Sequence, residues 1–347
     1  MLLAFGIVCI PAIRNILGFH NSNLYSNYIR IQKQISKLDY RRIETMLTAI
    51  ICTYNREKYI GPLLDSIAAN DLSKEEYEIL LVDNNCTDNT REVCKAFAAA
   101  HRDVNFRYVV ESEQGLSAAR NKGIKEAKGD IIVYIDDDAL VDSHYLRTYA
   151  EWFAAHPETM ACGGPVEPLY ETAEPSWFTP YTKALLTAWV NYGEQVRTYP
   201  KGRYPSGGNA AFRKIVFDQV GLFNTALGRK GNSLMASEEK DIFDKMHALK
   251  MQILYLPTPV LHHIIPQIKL ETDYFNRLTF QIGSSERQRT LAIGKSKYLQ
   301  RLCAELIKWA GTLVLLCIYT ISFHPAKGWK LVQFRANVTR GLFGSGR

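Results

Sequence analysis

Ile131-Ile132-Val133-Tyr134-Ile135, closed by Asp136-Asp137-Asp138, is the stretch that decides the fold. Five apolar or aromatic residues in a row read as a buried strand near the middle of a sheet. The three carboxylates fall at its carboxyl end, where an open α/β sheet presents its ligand site. Acids packed so closely repel one another unless a cation or a proton sits among them. Oxygen donors in this arrangement suit a hard divalent ion, Mg²⁺ or Mn²⁺, and such an ion would neutralise phosphate in turn. The plain alternative is an acidic turn that ends a strand and caps the next helix. One acid would do that, and here there are three.

Upstream, Leu47–Thr53 reads as a strand running into Tyr54-Asn55-Arg56, followed by a helix with Ile60, Leu63, Leu64 and Ile67 on its apolar side. Glu78–Val82 is a second strand ending in Asp83-Asn84-Asn85, and Thr87–Thr90 caps a helix through Val93, Ala96 and Phe97. Phe106–Val110 is a third strand, and Leu116–Ala127 is the helix that leads into the acidic strand. Strand–helix alternation with short connections implies a parallel, mostly buried sheet with right-handed crossovers. Thr53, Asn55, Asp83, Asp136 and Asp138 then share one rim, as in a nucleotide-diphosphate pocket. Neither G-x-G-x-x-G nor G-x-x-x-x-G-K-[ST] occurs, which removes the main support for a dehydrogenase or a P-loop enzyme.

The 347 residues, 47% hydrophobic, can bury a large core as two domains or one big α/β domain. Seven scattered cysteines with no C-x-x-C pair argue against a zinc site or a disulfide framework and fit a reducing compartment. The net charge of +7 is unevenly spread. Residues 46–286 hold 25 Lys/Arg against 32 Asp/Glu, whereas residues 287–347 hold 11 Lys/Arg and one acid, Glu305. An acidic body with basic ends is not the footprint of a nucleic-acid enzyme, whose positive charge should line its groove. A basic end interleaved with apolar residues suits an anionic membrane surface better.

Four motifs, in order, resemble the family 2 glycosyltransferases of GT-A fold: Thr48–Arg56, Leu81–Asp88, Gly115–Gly123 and Tyr134–Ala139. The resemblance continues through Gly207–Phe212 and Ser237–Asp241, and covers roughly residues 46–265. It is closest to the inverting enzymes that build bacterial surface polysaccharides. It implies a Rossmann-like, mostly parallel twisted sheet flanked by helices. It also implies a UDP- or GDP-sugar donor, and a glycan or lipid-linked acceptor.

By that resemblance Asp136 and Asp138 are the D-x-D pair that binds Mn²⁺ or Mg²⁺ on the donor phosphates, with Asp137 supporting the strand end or the sugar. Asp83 matches the residue that accepts from the nucleotide base, beside a wall of Thr53, Tyr54 and Asn55; Arg56 and Asn85 belong to the same donor-binding motifs. Arg120 and Asn121 match the helix that closes over ribose and diphosphate. Gly208 and Asn209 match a turn under the donor sugar or acceptor, where glycine lets the backbone come close. Inverting transfer needs a carboxylate that takes the acceptor proton. The family usually shows Glu-Asp at a helix start, and this chain has Glu238-Glu239. Glu239 is taken as the base, with Glu238 and Asp241 as alternatives. Of the pair His262-His263, His262 is taken as a third metal ligand. Trp177, Phe178, Tyr181 and Trp189 are either a stacking surface for an acceptor sugar or core.

The remaining organisation is expected to be an N-terminal extension over 1–45, a nucleotide-sugar-binding half over 46–160, an acceptor-binding and catalytic half over 161–286, and a basic, apolar helical region over 287–347. The extension reads as a loosely attached amphipathic segment or as translated upstream sequence. Residues 267–301 read as cationic helix, and 309–323 are fifteen uncharged residues. A short or re-entrant membrane segment and a buried amphipathic hairpin both fit, and Glu305 and Lys308 would be costly at mid-membrane. Basic flanks favour attachment at the cytoplasmic face of the inner (plasma) membrane. A sugar nucleotidyltransferase and a catalytically inactive nucleotide-sugar-binding protein are the competing readings.

Overall fold

The computed structural model describes residues 46–200, 202–229 and 238–344; the 1–45 extension and Ser237 lie outside them. Eleven strands and eleven helices are formed among the described residues. The first half alternates β1 (Leu47–Thr53), α1 (Glu57–Ala68), β2 (Tyr77–Asp83), α2 (Thr90–Ala100), β3 (Phe106–Val110), α3 (Leu116–Glu126) and β4 (Ile131–Asp136). There follow β5 (Ala139–Val141), α4 (Tyr145–Ala155), β6 (Thr159–Gly163), β7 (Val166–Tyr170), α5 (Pro180–Thr187) and β8 (Arg197–Thr198). Next come β9 (Asn209–Arg213), α6 (Ile215–Val220), α7 (Glu238–Ala248), β10 (Gln252–Tyr255) and β11 (Leu261–Ile265). The C-terminal helices are α8 (Gln267–Leu270), α9 (Thr272–Ile293), α10 (Lys295–Ile321) and α11 (Pro325–Phe343).

Eight strands make one sheet in the order β3-β2-β1-β4-β9-β6-β10-β8. β3, β2, β1 and β4 run parallel, and β9 enters antiparallel between β4 and β6. β4 is buried along its five apolar residues, as a strand with neighbours on both sides must be. Alternate residues of each strand point to opposite faces, and each face has its own core. Ile131, Val133 and Ile135 join α1, α2 and α4, while Ile132 and Tyr134 join α3, α6 and α7. The chain leaves β1 toward β2 and returns to β4 on the other side, so the crevice falls between the carboxyl ends of β1 and β4. α3 can lie close over β1 because Gly123 has no side chain; a Cβ there would meet Ile50 at 2.7 Å.

A second sheet, β5-β11-β7, sits where β4 ends. β11 pairs with β5 so that His263 lies opposite Ala139, and Ile264 N–H donates to the Asp138 carbonyl at 2.8 Å. At the C-terminus, the cationic helix expected over 267–301 is broken at Gly294, whose φ of +147° excludes a continuous helix. α11 packs against both α9 and α10. Gly283 and Gly341 let α9 and α11 cross backbone to backbone, since a Cβ on either would run into the other helix's carbonyl.

Asn209, expected at the donor, is instead a structural hub with no exposure. Its amide oxygen accepts from the Tyr145 and Tyr149 hydroxyls at 2.8 and 2.5 Å, and its nitrogen donates to the carbonyls of Pro165 and Pro259 at 2.8 and 3.1 Å. It therefore ties β9 to α4 and to the loops flanking the small sheet. Removing it would strand buried hydroxyls and carbonyls without partners. Asn209→Ala is expected to lose about 3 kcal/mol of stability, read as a lowered denaturation midpoint; an unchanged midpoint would show that water replaces the hub.

Candidate active site

A cleft of about 360 Å³ opens at the carboxyl ends of β1 and β4. Thr53, Tyr54 and Arg56 line it from the β1 end, Asp136, Asp137 and Asp138 from the β4 end, and Gly207 and Gly208 from the turn before β9. Arg120 enters from α3, Glu238 and Glu239 from the start of α7, and His263 and Lys269 from the small sheet and α8. Leu185, Leu186, Tyr274 and Leu278 add an apolar wall. Gly208 backs directly onto the Asp136 carboxylate and Gly207 onto Glu239 and Arg120, so a methyl group at either would collide with them.

The three acids have different partners. Asp136 is left to burial and to the charge of Asp138, which hold its carboxyl above the ordinary range. Burial pushes Asp137 up to about 6 against the pull of Arg56, whose Nε lies 3.4 Å from Asp137 Oδ1. Burial would raise Asp138 too, but Lys269 and His263 outweigh it and hold this carboxyl well below the usual range. Lys269 Nζ donates to Asp138 Oδ2 at 2.9 Å, His263 Nε2 is 3.3 Å from Asp138 Oδ1, and Arg56 Nη2 is 3.9 Å from Oδ2.

Arg120 is buried with its guanidinium over the rings of Tyr134 and Phe223. Its Nη1 lies 2.8 Å from Glu238 Oε1 and 3.0 Å from Glu239 Oε1. One guanidinium thus serves two neighbouring carboxylates, and they divide unequally. Burial and the charge of Glu239 push Glu238 up to about 7, whereas Arg120 overcomes burial at Glu239 and holds it below the ordinary glutamate value. Glu239 is also the one open to the cleft, with its side chain 19% exposed against 1% for Glu238.

Several expected donor residues do not line this cleft. Asp83 closes β2 with its carboxylate held by the Cys86 amide at 2.6 Å and by the Tyr108 hydroxyl. Asn55 and Asn85 take left-handed backbone (φ 55° and 66°) and spend their side chains on Thr87 and on the Ser112 carbonyl. Asn121 brackets the backbone of Phe223, at 2.8 and 2.9 Å. Asp241 pairs with Lys245 at 2.7 Å along α7. His262 turns to Asp142 at 3.1 Å, because adjacent residues of β11 face opposite ways and it is His263 that faces Asp138. Among the aromatic candidates, Phe178 is buried, Trp177 meets it edge to face, Trp189 donates to Glu167 and Tyr181 is exposed; none lines the cleft. Asn84, Lys269, Tyr274 and Leu278 do line it, and of these only Asn84 lay within a sequence motif.

The donor set fits a divalent cation at Asp138. No group of three His, Cys, Asp or Glu side chains is gathered as a metal cage among the described residues. A carboxylate oxygen and an imidazole nitrogen at one point leave most coordination positions for phosphate oxygens and water, as Mg²⁺ and Mn²⁺ sites on nucleotides require. Asp136, raised by its acidic neighbour, would be relieved by positive charge there.

The glycosyl transferase family 2 model matches residues 48–221. The chain belongs to that family. A glucosyl-dolichyl phosphate glucuronosyltransferase of Haloferax volcanii is 24% identical over 251 residues, 70% of this chain and 76% of that protein. A Methanococcus voltae dolichyl N-acetyl-α-D-glucosaminyl phosphate glucuronosyltransferase, whose transferred sugar is a diacetamido derivative, is 31% identical over 129 residues, 36% of this chain and 40% of that one. The mannosyltransferase PcManGT of Pyrobaculum calidifontis, solved with GDP-Man and Mn²⁺, superposes with a TM-score of 0.59 at 18% identity, over 94% of this chain and 96% of its own. The fold is therefore the expected GT-A fold and the protein is a glycosyltransferase.

Glu238 supplies a pH test. Its folded pKa, pushed up to about 7, lies above the ordinary glutamate value near 4.5, so the folded state holds a proton that the unfolded chain has lost. Its stabilising effect is full below pH 4.5 and is lost as pH rises through 7. Glu238→Gln, which makes that proton permanent, is expected to raise the melting temperature over the wild type at pH 8 but not at pH 5. Equal shifts at both pH values would contradict the assignment.

Proposed function

We propose that this enzyme is a metal-dependent, inverting glycosyltransferase that moves a sugar from a UDP- or GDP-sugar to a glycan or lipid-linked acceptor in polysaccharide biosynthesis. The observation that carries the reading is one cleft with the β4 acids and their cations on one side and an ionised Glu239 at the start of α7 on the other. In a single displacement the acceptor oxygen bonds to the anomeric carbon as the sugar–phosphate bond breaks, and the acceptor proton passes to Glu239. A base must be unprotonated to work, and Arg120 keeps Glu239 so. Asp138 and His263 would hold Mn²⁺ or Mg²⁺, which supplies positive charge to the departing diphosphate. Arg56 adds a fixed positive charge beside Asp137, and the exposed ring of Tyr54 offers a face at the mouth of the cleft.

A lipid-linked acceptor is supported by the dolichyl phosphates named for both archaeal relatives, and by the C-terminal helices. α10 is the one described helix long and apolar enough to cross a membrane. Its one acid, Glu305, is turned inward, paired with Arg301 at 2.6 Å and Arg335 at 2.9 Å. Its outward side carries Leu306, Ile307, Val314 and Ile321, each more than half exposed, and Phe323 follows at 92%. With α11 folded back along it, α10 suits lying in an anionic membrane surface, helped by Lys295, Lys297 and Lys327. Free cysteines throughout the described residues agree with the cytoplasmic face.

Glu239→Gln is expected to lower kcat by about 10²–10⁴ while binding of nucleoside diphosphate is kept, and Asp138→Ala is expected to abolish Mn²⁺-dependent release of nucleoside diphosphate. Wild-type turnover in either variant would remove that residue's role. Separately, Leu306→Lys combined with Ile321→Lys is expected to cut co-sedimentation with phosphatidylglycerol vesicles at least tenfold, whereas unchanged pelleting would show that α10 is not the lipid-binding face.

A further inference from the structure

Lys269 is a cationic residue of the cleft to which the family resemblance gives no role. It stands on α8, between β11 and α9, with its side chain 13% exposed. Its Nζ lies 2.9 Å from Asp138 Oδ2 and 3.1 Å from His263 Nε2. His263 Nε2 in turn lies 3.3 Å from Asp138 Oδ1, so ammonium, imidazole and carboxylate meet at one point. The other ring nitrogen, Nδ1, lies 2.8 Å from the Thr187 carbonyl, which can only accept, and donates to it. Lys269 thus rests against the two atoms, a carboxylate oxygen and an imidazole nitrogen, that a divalent cation at Asp138 would use.

Two cations cannot share those atoms, because an ammonium and a divalent ion at contact distance in a partly buried cleft repel each other strongly. Arg56, 3.9 Å from Asp138, is looser and can remain beside the diphosphate. We propose that Lys269 is a tethered resident cation of the Asp138–His263 pair, exchanged for the divalent ion when the cleft is loaded. In the empty cleft it holds the Asp138 carboxylate and the His263 ring in place. On loading, its ammonium gives up the pair and stays within reach of the diphosphate. The pair is thus preformed for a metal that binds weakly until a donor arrives with further oxygen ligands.

The inference rests on Asp138 being the cation site, so the test separates the two. Mn²⁺ binding to the full-length protein without donor is measured from the free-Mn²⁺ electron paramagnetic resonance signal. Lys269→Met, which keeps the aliphatic stem, is expected to bind Mn²⁺ at least tenfold more tightly than wild type, and Lys269→Arg, which keeps the charge, to stay within about threefold of it. Equal or weaker binding by Lys269→Met overturns the exchange, as does undetectable binding by that variant. Melting temperatures without metal, compared across the variants, show whether each is folded; Lys269→Arg carries the charge test if Lys269→Met is not, and its binding at least tenfold more tightly than wild type also overturns the exchange. Asp138→Asn in the Lys269→Met background is expected to abolish the gain, and if Mn²⁺ still binds there, it is the Asp138 site itself that falls.

Discussion

Everything at the mouth of this sheet answers to one constraint: several carboxylates share a poorly solvated crevice and must not face one another uncompensated. The parallel order of β1 and β4 brings Asp136, Asp137 and Asp138 to that crevice, and the start of α7 adds Glu238 and Glu239. Each group of acids is met by a cation from a different part of the chain. Arg56 comes from the turn after β1, Arg120 from α3 and Lys269 from α8. A buried charge that lost its partner would cost several kcal/mol. The positions of the loops are therefore coupled to the charge state of the cleft, and the fold and the site cannot be varied independently.

The same constraint explains what could be read from the sequence. β1, β2, β3 and β4 and the helices between them follow from runs of buried residues and helical spacing, which are local properties of the chain. The strand-end acids and the glycine turn were equally local. Which way a side chain faces at a strand end was not. Asp83, Asn55 and Asn85 sit on the expected rim, yet their carboxylate and amides are consumed by the turns that form it. The choice between His262 and His263 depends on the register of β11 against β5, which no local pattern encodes. Lys269 was hidden for the same reason, since in sequence it is one lysine in a generally basic stretch, and only the return of β11 to Asp138 gives it a partner. The Glu-for-Asp departure at the second acid proved less informative than its surroundings: Glu239 is distinguished by its exposure and by Arg120.

At the other end of the chain, the acid that made a spanning helix expensive is the one that organises the hairpin. Glu305 accepts from Arg301 on its own helix and from Arg335 on α11, and Arg301 also reaches Glu286 of α9 at 3.2 Å. Apolar residues are left on the outer side because the charges have been drawn inward. α9 belongs to both regions: Tyr274 and Leu278 near its start wall the cleft, while Glu286 and Gly283 further along receive the hairpin. The helix that walls the cleft is therefore also the one on which the C-terminal hairpin is built.

That ion cluster also orders events during synthesis. Glu305 leaves the ribosome well before Arg335, its partner thirty positions later. Until α11 has been made, α10 is a helix with an acid matched only by its own Arg301, poorly suited to enter hydrocarbon by itself. The apolar outer side of α10 is backed by a partner helix only once α11 has been made. A chain cut short before α11 would leave Glu305 with Arg301 alone, and the apolar side of α10 without the helix that backs it.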